Sequence, residues 1–109
     1  MTTWHCYKYT NDAWVEHKWQ IYYVQHDGRK RYYGESLDYP TAAAMVEALA
    51  DPDIRRYAVE HMALDIRDAY AHTQANMAIF ERIKGIARAH GSDTLSIAMM
   101  ADAIKAEEG

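Results

Sequence analysis

The sequence predicts an α+β fold: a three-stranded antiparallel sheet followed by a helical C-terminal half with one long or kinked helix. Ten of the thirteen aromatic residues lie within residues 1–39, where apolar and polar side chains alternate as they do in strands. Residues 40–109 are rich in Ala, Met and Ile at helical spacing. Because 109 residues leave room for one core, we expect a single domain, with the sheet in 1–39 and the helices in 40–109.

The dipeptide Asp27-Gly28 predicts the turn of a β-hairpin, because Asp-Gly readily supplies the two positive φ angles of a two-residue hairpin turn. A two-residue loop at this point would place Tyr22 opposite Tyr33 and so fix the register of the whole hairpin. A further strand is expected over residues 4–9, where aromatic residues again recur.

Alternation of side chains along this hairpin predicts two different faces. The more apolar face is expected to be the core, and it contains Trp19, Ile21, Tyr23, Lys30 and Tyr32. The other face is expected to be exposed and to bind a partner, because tyrosine and arginine are frequent hot-spot residues of protein interfaces. Its candidate binding residues are Tyr22, Arg31 and Tyr33 at the centre, with Lys18, Gln20 and Arg29 around them.

The same segment resembles a known DNA-binding pattern. It combines Trp19 and Ile21, the turn at Asp27-Gly28, a basic strand over 29–34 and an Ala-rich segment over 41–44. This order is similar to the three-stranded sheet plus helix of plant ethylene-response-factor domains and of the arm-binding domains of phage-type integrases. The resemblance implies that the exposed sheet face enters the major groove of DNA. The base-reading residues would then be Lys18, Gln20, Tyr22, Arg29 and Arg31.

Helix signals begin at Pro40, which suits the first turn of a helix. Asp51-Pro52 is expected to end this helix and to begin the next, with Asp51 as its N-cap. Helical periodicity then continues to His90 without another proline. A helix over 52–90 would measure roughly 57 Å at about 1.5 Å per residue, which is longer than a domain of this size.

We therefore expect this helix either to break near residues 72–76 or to project and support a homodimer. Its apolar stripe exceeds what the shorter helices could cover. Gly91 is expected to end it, and Ser92 or Asp93 to cap a last helix.

Two patterns in the helical half suggest chemistry at first sight. Four potential metal ligands share one face of the predicted helix, but the outermost two would lie about 16 Å apart, so we expect a solvated stripe and no metal site. They are His61, Asp65, Asp68 and His72. Residues 94–102 have the spacing of a recognition helix but lack the basic and amide side chains that read bases, so we expect a packing αα-hairpin.

No catalytic constellation is expected in the sheet half either. His5 and Cys6 are adjacent, and neighbours on a strand point to opposite faces, so they cannot act as a nucleophile and its base. The chain has one cysteine, no basic-then-apolar leader pattern and no apolar run long enough to span a bilayer. We expect a cytoplasmic protein that uses no cofactor and is not an enzyme.

Charge narrows the choice of partner. Residues 1–39 are neutral overall, whereas residues 40–109 carry the net charge of −4, which disfavours general binding to phosphate backbones. Our first hypothesis is a protein-binding module that inhibits a larger host complex. Its small size, acidity and lack of catalytic motifs resemble the profile of phage anti-defence proteins such as anti-CRISPR proteins. The alternative is a DNA-binding protein that reads duplex DNA with its sheet and dimerises through its helices.

Overall fold

The computed structural model describes residues 4–9, 18–33, 37–63, 65–66 and 74–108. They form an antiparallel sheet followed by four helices, which confirms the α+β fold. The strands are β1 (Trp4–Tyr9), β2 (Lys18–Val24) and β3 (Lys30–Tyr32), and the helices are α1 (Tyr39–Leu49), α2 (Pro52–Glu60), α3 (Gln74–His90) and α4 (Ile97–Glu108). Among the described residues, no helix is both long and apolar enough to cross a membrane.

The strands lie in the order β1-β2-β3, and β2 pairs with both neighbours. The strand predicted at residues 4–9 is therefore confirmed. One face of the sheet packs against the helices, mainly α1, and contributes Trp4, Ile21, Tyr23 and Tyr33 to the core. Trp19, predicted as core, is half-buried and packs against the core from its edge.

The hairpin turn contains three residues, so the prediction of a two-residue loop is wrong. The Gln25 N–H donates to the Arg29 carbonyl (2.8 Å), and the Gly28 N–H donates to the Gln25 carbonyl (2.9 Å). Gly28 has a φ of 87°, and no described non-glycine residue has a positive φ. A two-residue turn would need positive φ at Asp27 as well, whereas a three-residue loop needs it only at glycine. The loop that avoids strain at Asp27 is the one adopted.

The extra loop residue shifts β3 by one position. Tyr22 is opposite Tyr32, and Tyr23 is opposite Arg31, in place of the pairs Tyr22–Tyr33 and Tyr23–Tyr32. Because side chains alternate with a period of two, a slip of one residue exchanges the two faces of a strand. Tyr33 is accordingly buried and Tyr32 is 48% exposed, the reverse of what the sequence led us to expect.

Helix α1 forms where the sequence predicts it. The Asp38 side chain caps its N-terminus by accepting from the Thr41 N–H (2.8 Å), and Pro40 occupies the first turn. Met45 and Leu49 are buried. α1 contacts β1, β2 and α3, so it is the central element of the packing.

The described residues of the long helical pattern form two helices. Helix α2 begins at the predicted cap, Asp51, and ends at Glu60, and α3 begins at Gln74. The molecule measures 46 Å along its longest axis, so a straight helix of roughly 57 Å would extend beyond it. With two helices, Ile54 and Phe80 are both buried in the same core. The backbone leaves helical geometry at His61, and α3 begins at Gln74, within the range where a break was expected. Residues 67–73 lie outside the described residues.

The last connection also differs from prediction. Gly91 ends α3 with a φ of 75°, and the Ser92 N–H donates to the Ala87 carbonyl (2.8 Å), as in a Schellman motif. Ser96 caps α4 by accepting from the Met99 N–H (3.1 Å), so the prediction of Ser92 or Asp93 as the cap is wrong. α3 packs mainly on α1 and α4 mainly on α2, so the predicted αα-hairpin is not formed.

The end of α4 ties the sheet to the helices. One carboxylate oxygen of Glu107 accepts from the Trp4 indole N–H (3.1 Å) and from the Arg55 guanidinium (2.6 Å). The Tyr23 hydroxyl donates to the Ala106 carbonyl (3.1 Å). These bonds fix α4 against α2 on one side and against the core face of the sheet on the other.

We expect Gly28→Ala to destabilise the fold by about 1–2 kcal/mol, because a left-handed backbone is strained in any residue with a Cβ. The added methyl group itself would meet nothing within 4 Å. The matched control is Gly85→Ala on α3, which also has free space and an ordinary φ. It should stabilise by about 0.5–1 kcal/mol. Urea denaturation measures both, and equal effects would contradict the turn geometry.

We expect Asp51 to contribute to stability in a pH-dependent way. Burial acts to raise its pKa, but hydrogen bonds from Arg82 (2.6 Å) and from the N–H groups of Asp53 and Ile54 outweigh this and hold the pKa below its ordinary value of 3.8. Because the pKa of Asp51 is lower in the folded state than in the unfolded state, its ionised side chain stabilises the fold at pH values above the unfolded pKa. This stabilisation is lost as the pH falls through the folded pKa.

Asp51→Asn keeps a capping side chain and removes the charge, so it should cost up to about 1 kcal/mol at pH 7. The gap from the parent protein should close below about pH 4 in denaturation curves recorded along a pH series. Asp102→Asn, on the exposed side of α4, is the control and should show no gap. A gap for Asp51→Asn that stays constant down to low pH would refute the assignment.

Candidate binding surface

The face of the sheet turned away from the helices carries a cluster of aromatic and polar side chains. Cross-strand pairing places His5 opposite Tyr22, Tyr7 opposite Gln20, and Tyr22 opposite Tyr32. Val24 and Lys30 face each other at the hairpin end of the same surface. We call this surface the tyrosine face, and it consists of His5, Tyr7, Gln20, Tyr22, Val24, Lys30 and Tyr32.

Three tyrosine rings, one from each strand, form the centre of the tyrosine face. The Tyr7 ring centroid lies 5.8 Å from that of Tyr22 and 5.5 Å from that of Tyr32, both in edge-to-face arrangements. Tyr22 and Tyr32 are 5.7 Å apart, and the His5 ring lies 5.4 Å from Tyr22. Such contacts contribute about 0.5–1.5 kcal/mol per pair beyond area burial, so the cluster holds its own shape.

Polar groups of the tyrosine face fix its edges. The Tyr7 hydroxyl donates to the side-chain amide oxygen (Oε1) of Gln20 (2.7 Å), which locks both side chains. The Lys30 ammonium lies 5.0 Å from the centroid of the Tyr22 ring, within the range of a cation–π contact. Among the described residues, no carboxylate belongs to this face. The nearby Asp27 is in the turn, where it contacts Arg29 (3.6 Å).

The structure divides the binding residues predicted from the sequence. Tyr22 and Gln20 belong to the tyrosine face, as expected. Tyr33 is 6% exposed and its N–H donates to the Ile21 carbonyl, so its assignment to an exposed face is wrong. Arg31 is exposed but pairs with Tyr23, whose side chain is on the helix side, so it does not join Tyr22.

The two remaining predicted residues lie at the margins. Arg29 is in the hairpin turn with 84% of its side chain exposed. Lys18 pairs with Tyr9 at the far end of β2, and alternation assigns its backbone position to the tyrosine face, while its side chain lies outside the described residues. The proposed set of base readers is therefore no longer one continuous surface.

Sequence reasoning missed four members of the tyrosine face. Tyr32 and Lys30 were assigned to the core side because of the one-residue error in the turn. His5 and Tyr7 belong to β1, and the alternation within 4–9 groups them together without saying which residues of β2 they face. A three-residue loop needs a positive φ only at its glycine. Predicting this loop at Gly28 would have placed Lys30 and Tyr32 on the correct face.

The two described members of the predicted stripe of potential metal ligands, His61 and Asp65, lie beyond the end of α2 and not on a helix face. Helix α2 ends at Glu60, and the His61 ring stacks on Tyr57 with centroids 4.3 Å apart. Asp68 and His72 lie outside the described residues. Among the residues that the structure describes, no three potential ligands are close enough to hold a metal ion.

His5 and Cys6 lie on opposite sides of the sheet, as alternation along a strand predicts. His5 is exposed on the tyrosine face. Cys6 pairs with Ile21 on the helix side and packs partly against the core. Burial raises the pKa of the Cys6 thiol, which makes it a poorer nucleophile at neutral pH.

Charges of the helical half are largely engaged within the chain. Arg82 bonds Asp51 (2.6 Å) and lies 3.7 Å from Asp53, and His90 lies 2.6 Å from Glu47. A partner that bound these carboxylates would have to compete with the contacts that they make within the fold. The apolar stripe of α2 and α3 is likewise covered by the chain itself, with Ile54, Ala58, Phe80, Ile83 and Ala87 all buried. The homodimer therefore stays a prediction, but an uncovered apolar stripe on α2 and α3 no longer supports it.

Two shallow cavities lie on the helical half. One, of about 340 Å³, is lined by Ile66, Lys84, Ala87, Arg88 and Ser92. The other, of about 260 Å³, lies between α2 and α4. The Ser92 hydroxyl is hydrogen-bonded to Thr41 (2.7 Å) and accepts from the Leu95 N–H, so it serves the fold. The aromatic cluster of the sheet remains the stronger candidate for a functional surface.

Comparisons with family models, curated proteins and solved structures find no match to this chain. Neither the resemblance to sheet-type DNA-binding domains nor the resemblance of profile to anti-defence proteins is tested by them. The geometry of the tyrosine face is therefore the basis for proposing a function of this protein.

The two adjacent tyrosines of the hairpin give a direct test of which face is exposed. Tyr33→Ala should destabilise the fold by about 3–5 kcal/mol, because it empties a buried aromatic site. Tyr32→Ala should cost only about 1–2 kcal/mol, because Tyr32 is 48% exposed and loses mainly its ring contacts with Tyr7 and Tyr22. Urea denaturation of the two variants compares them directly. A larger loss of stability for Tyr32→Ala than for Tyr33→Ala would contradict the three-residue loop and support the two-residue turn.

Proposed function

We propose that this protein is a non-enzymatic protein-binding module and that the tyrosine face is its binding surface. The observation that carries the proposal is the cluster of three tyrosines from three strands, open to solvent at Tyr32 and backed by a rigid sheet. Tyrosines of this kind supply large contact areas at a low cost in side-chain entropy, and they are enriched among interface hot spots.

Rigidity supports the same proposal. The Tyr7–Gln20 hydrogen bond and the ring contacts hold the side chains in place before a partner arrives. A preorganised surface loses less conformational entropy on binding, so more of the contact energy appears as affinity. The opposite face of the sheet is buried against α1, so binding at the tyrosine face requires no unfolding of the core.

We propose as partner a larger protein complex of a host cell, which this small acidic chain would inhibit in the cytoplasm on behalf of a phage or another mobile element. Its size, its net charge of −4 and its single cysteine support this proposal. The acidic helices are the less suitable binding surface, because their carboxylates at Asp51, Glu47 and Glu107 are engaged by Arg82, His90 and Arg55.

A second candidate is binding to DNA through the same face. Lys30 and Gln20 favour it, since one supplies a cation and the other an amide, and no described carboxylate opposes them on the face. A salt titration separates the candidates. Duplex DNA binding would show a steep decrease of log K with log salt concentration, whereas specific protein binding through aromatic contacts would show a shallow one.

The deciding experiment is quantitative binding to the complex that copurifies with the tagged protein from its host. Tyr22→Ser combined with Tyr32→Ser should weaken this binding by at least about tenfold. The loss of ring contacts lowers stability as well, so the amide spectrum of the double variant verifies that it is folded under the conditions of the assay. Tyr39→Ser is the matched control, because Tyr39 is similarly exposed (53%) but lies at the start of α1 against Trp19. Equal affinity of the double variant and the control would refute the tyrosine face as the binding surface.

A further inference from the structure

The distribution of charge around the tyrosine face indicates which charge a partner should carry. Of the described side chains on this face, Lys30 is the permanent cation, and Lys18 occupies a backbone position on the same face. Carboxylates of the described residues lie elsewhere: in the turn, at helix ends and along the helices. The protein therefore presents a positive, aromatic surface within a chain whose net charge is −4.

Building on the proposed function, we infer that the tyrosine face takes an acidic segment of its protein partner, with a carboxylate bound to Lys30 at the edge of the tyrosine cluster. The observation behind this is charge complementarity. A carboxylate approaching the helical half meets net repulsion, whereas one approaching Lys30 meets attraction and the hydroxyl groups of Tyr22 and Tyr32, which can donate hydrogen bonds. Charge would thus orient the partner on this face.

The ring geometry favours carboxylates of a protein over phosphates of a nucleic acid. Base stacking needs free ring faces. Here Lys30 lies over the Tyr22 ring at 5.0 Å, and the edge-to-face contacts of Tyr7 turn ring edges toward neighbouring faces. A long polyphosphate would also extend beyond the small positive area and meet the net negative charge of the rest of the chain. A short acidic segment avoids both difficulties.

The first test uses defined probes on the full chain. Amide NMR spectra of the isotope-labelled protein are recorded during titration with a hexaglutamate peptide, a hexalysine peptide and a short oligothymidylate. We expect hexaglutamate to shift the amides of Tyr7, Tyr22 and Tyr32, and to lose this effect as salt rises from about 0.05 to about 0.5 M. Stronger shifts with oligothymidylate, or equal shifts with hexalysine, would overturn the inference.

Lys30→Gln tests the assigned cation. Lys30 is exposed on an edge strand, so this variant should fold, and its amide spectrum verifies that. It should weaken hexaglutamate binding by about threefold or more. Lys105→Gln, which removes an exposed lysine from α4, is the matched control and should bind as the parent does. Equal binding by all three proteins would overturn the inference.

Failure of this inference can be told apart from failure of the proposed function. In the partner-binding assay, Lys30→Glu should reduce affinity by about tenfold and lower the association rate most at low salt. If the tyrosine double variant loses the partner while Lys30→Glu keeps full affinity and an unchanged salt dependence, the face binds a protein that is not acidic there. If neither variant affects binding, the tyrosine face itself is the wrong surface.

Discussion

The left-handed conformation of Gly28 is the constraint on which the sheet depends. It ends a three-residue loop, and that loop sets the pairing of Tyr22 with Tyr32. Every side chain of β3 then follows: Tyr32 joins the open surface and Tyr33 enters the core. Because a shift of one residue would reverse this assignment, a single backbone angle decides which aromatic groups the protein presents to a partner.

The helical half makes this choice of faces permanent. α1 covers the sheet on one side, and Glu107 joins the indole of Trp4 to the guanidinium of Arg55. The Tyr23 hydroxyl adds a bond to the end of α4. With one face held by these contacts, the hairpin cannot turn over without breaking them. The tyrosine face is consequently open because the opposite face is occupied, and its exposure is a property of the whole fold.

Sequence reasoning could reach the fold because its signals are local. Pro40 and Asp51 identify helix starts through the chemistry of the first turn, and both are where the structure has them. The register of the hairpin could not be predicted from the sequence, because Asp-Gly suits both two-residue and three-residue loops. The choice between them depends on the φ angle of Asp27. A break in the long helical pattern was one of two expectations, but the end of α2 at His61 was out of reach, since it depends on α2 and α3 sharing one core. The error in register carried over to the predicted binding surface, to which Tyr33 was assigned in place of Tyr32.

Stability and recognition share the same side chains on the tyrosine face. The ring contacts among Tyr7, Tyr22 and Tyr32 join all three strands, so they brace the outer surface of a small sheet. The same contacts preorganise the surface for a partner. Lys30 differs, because it is exposed and contributes to the face chiefly through its charge. Affinity for a partner can therefore be tuned at Lys30 with little cost to the fold, whereas changes at the tyrosines act on both.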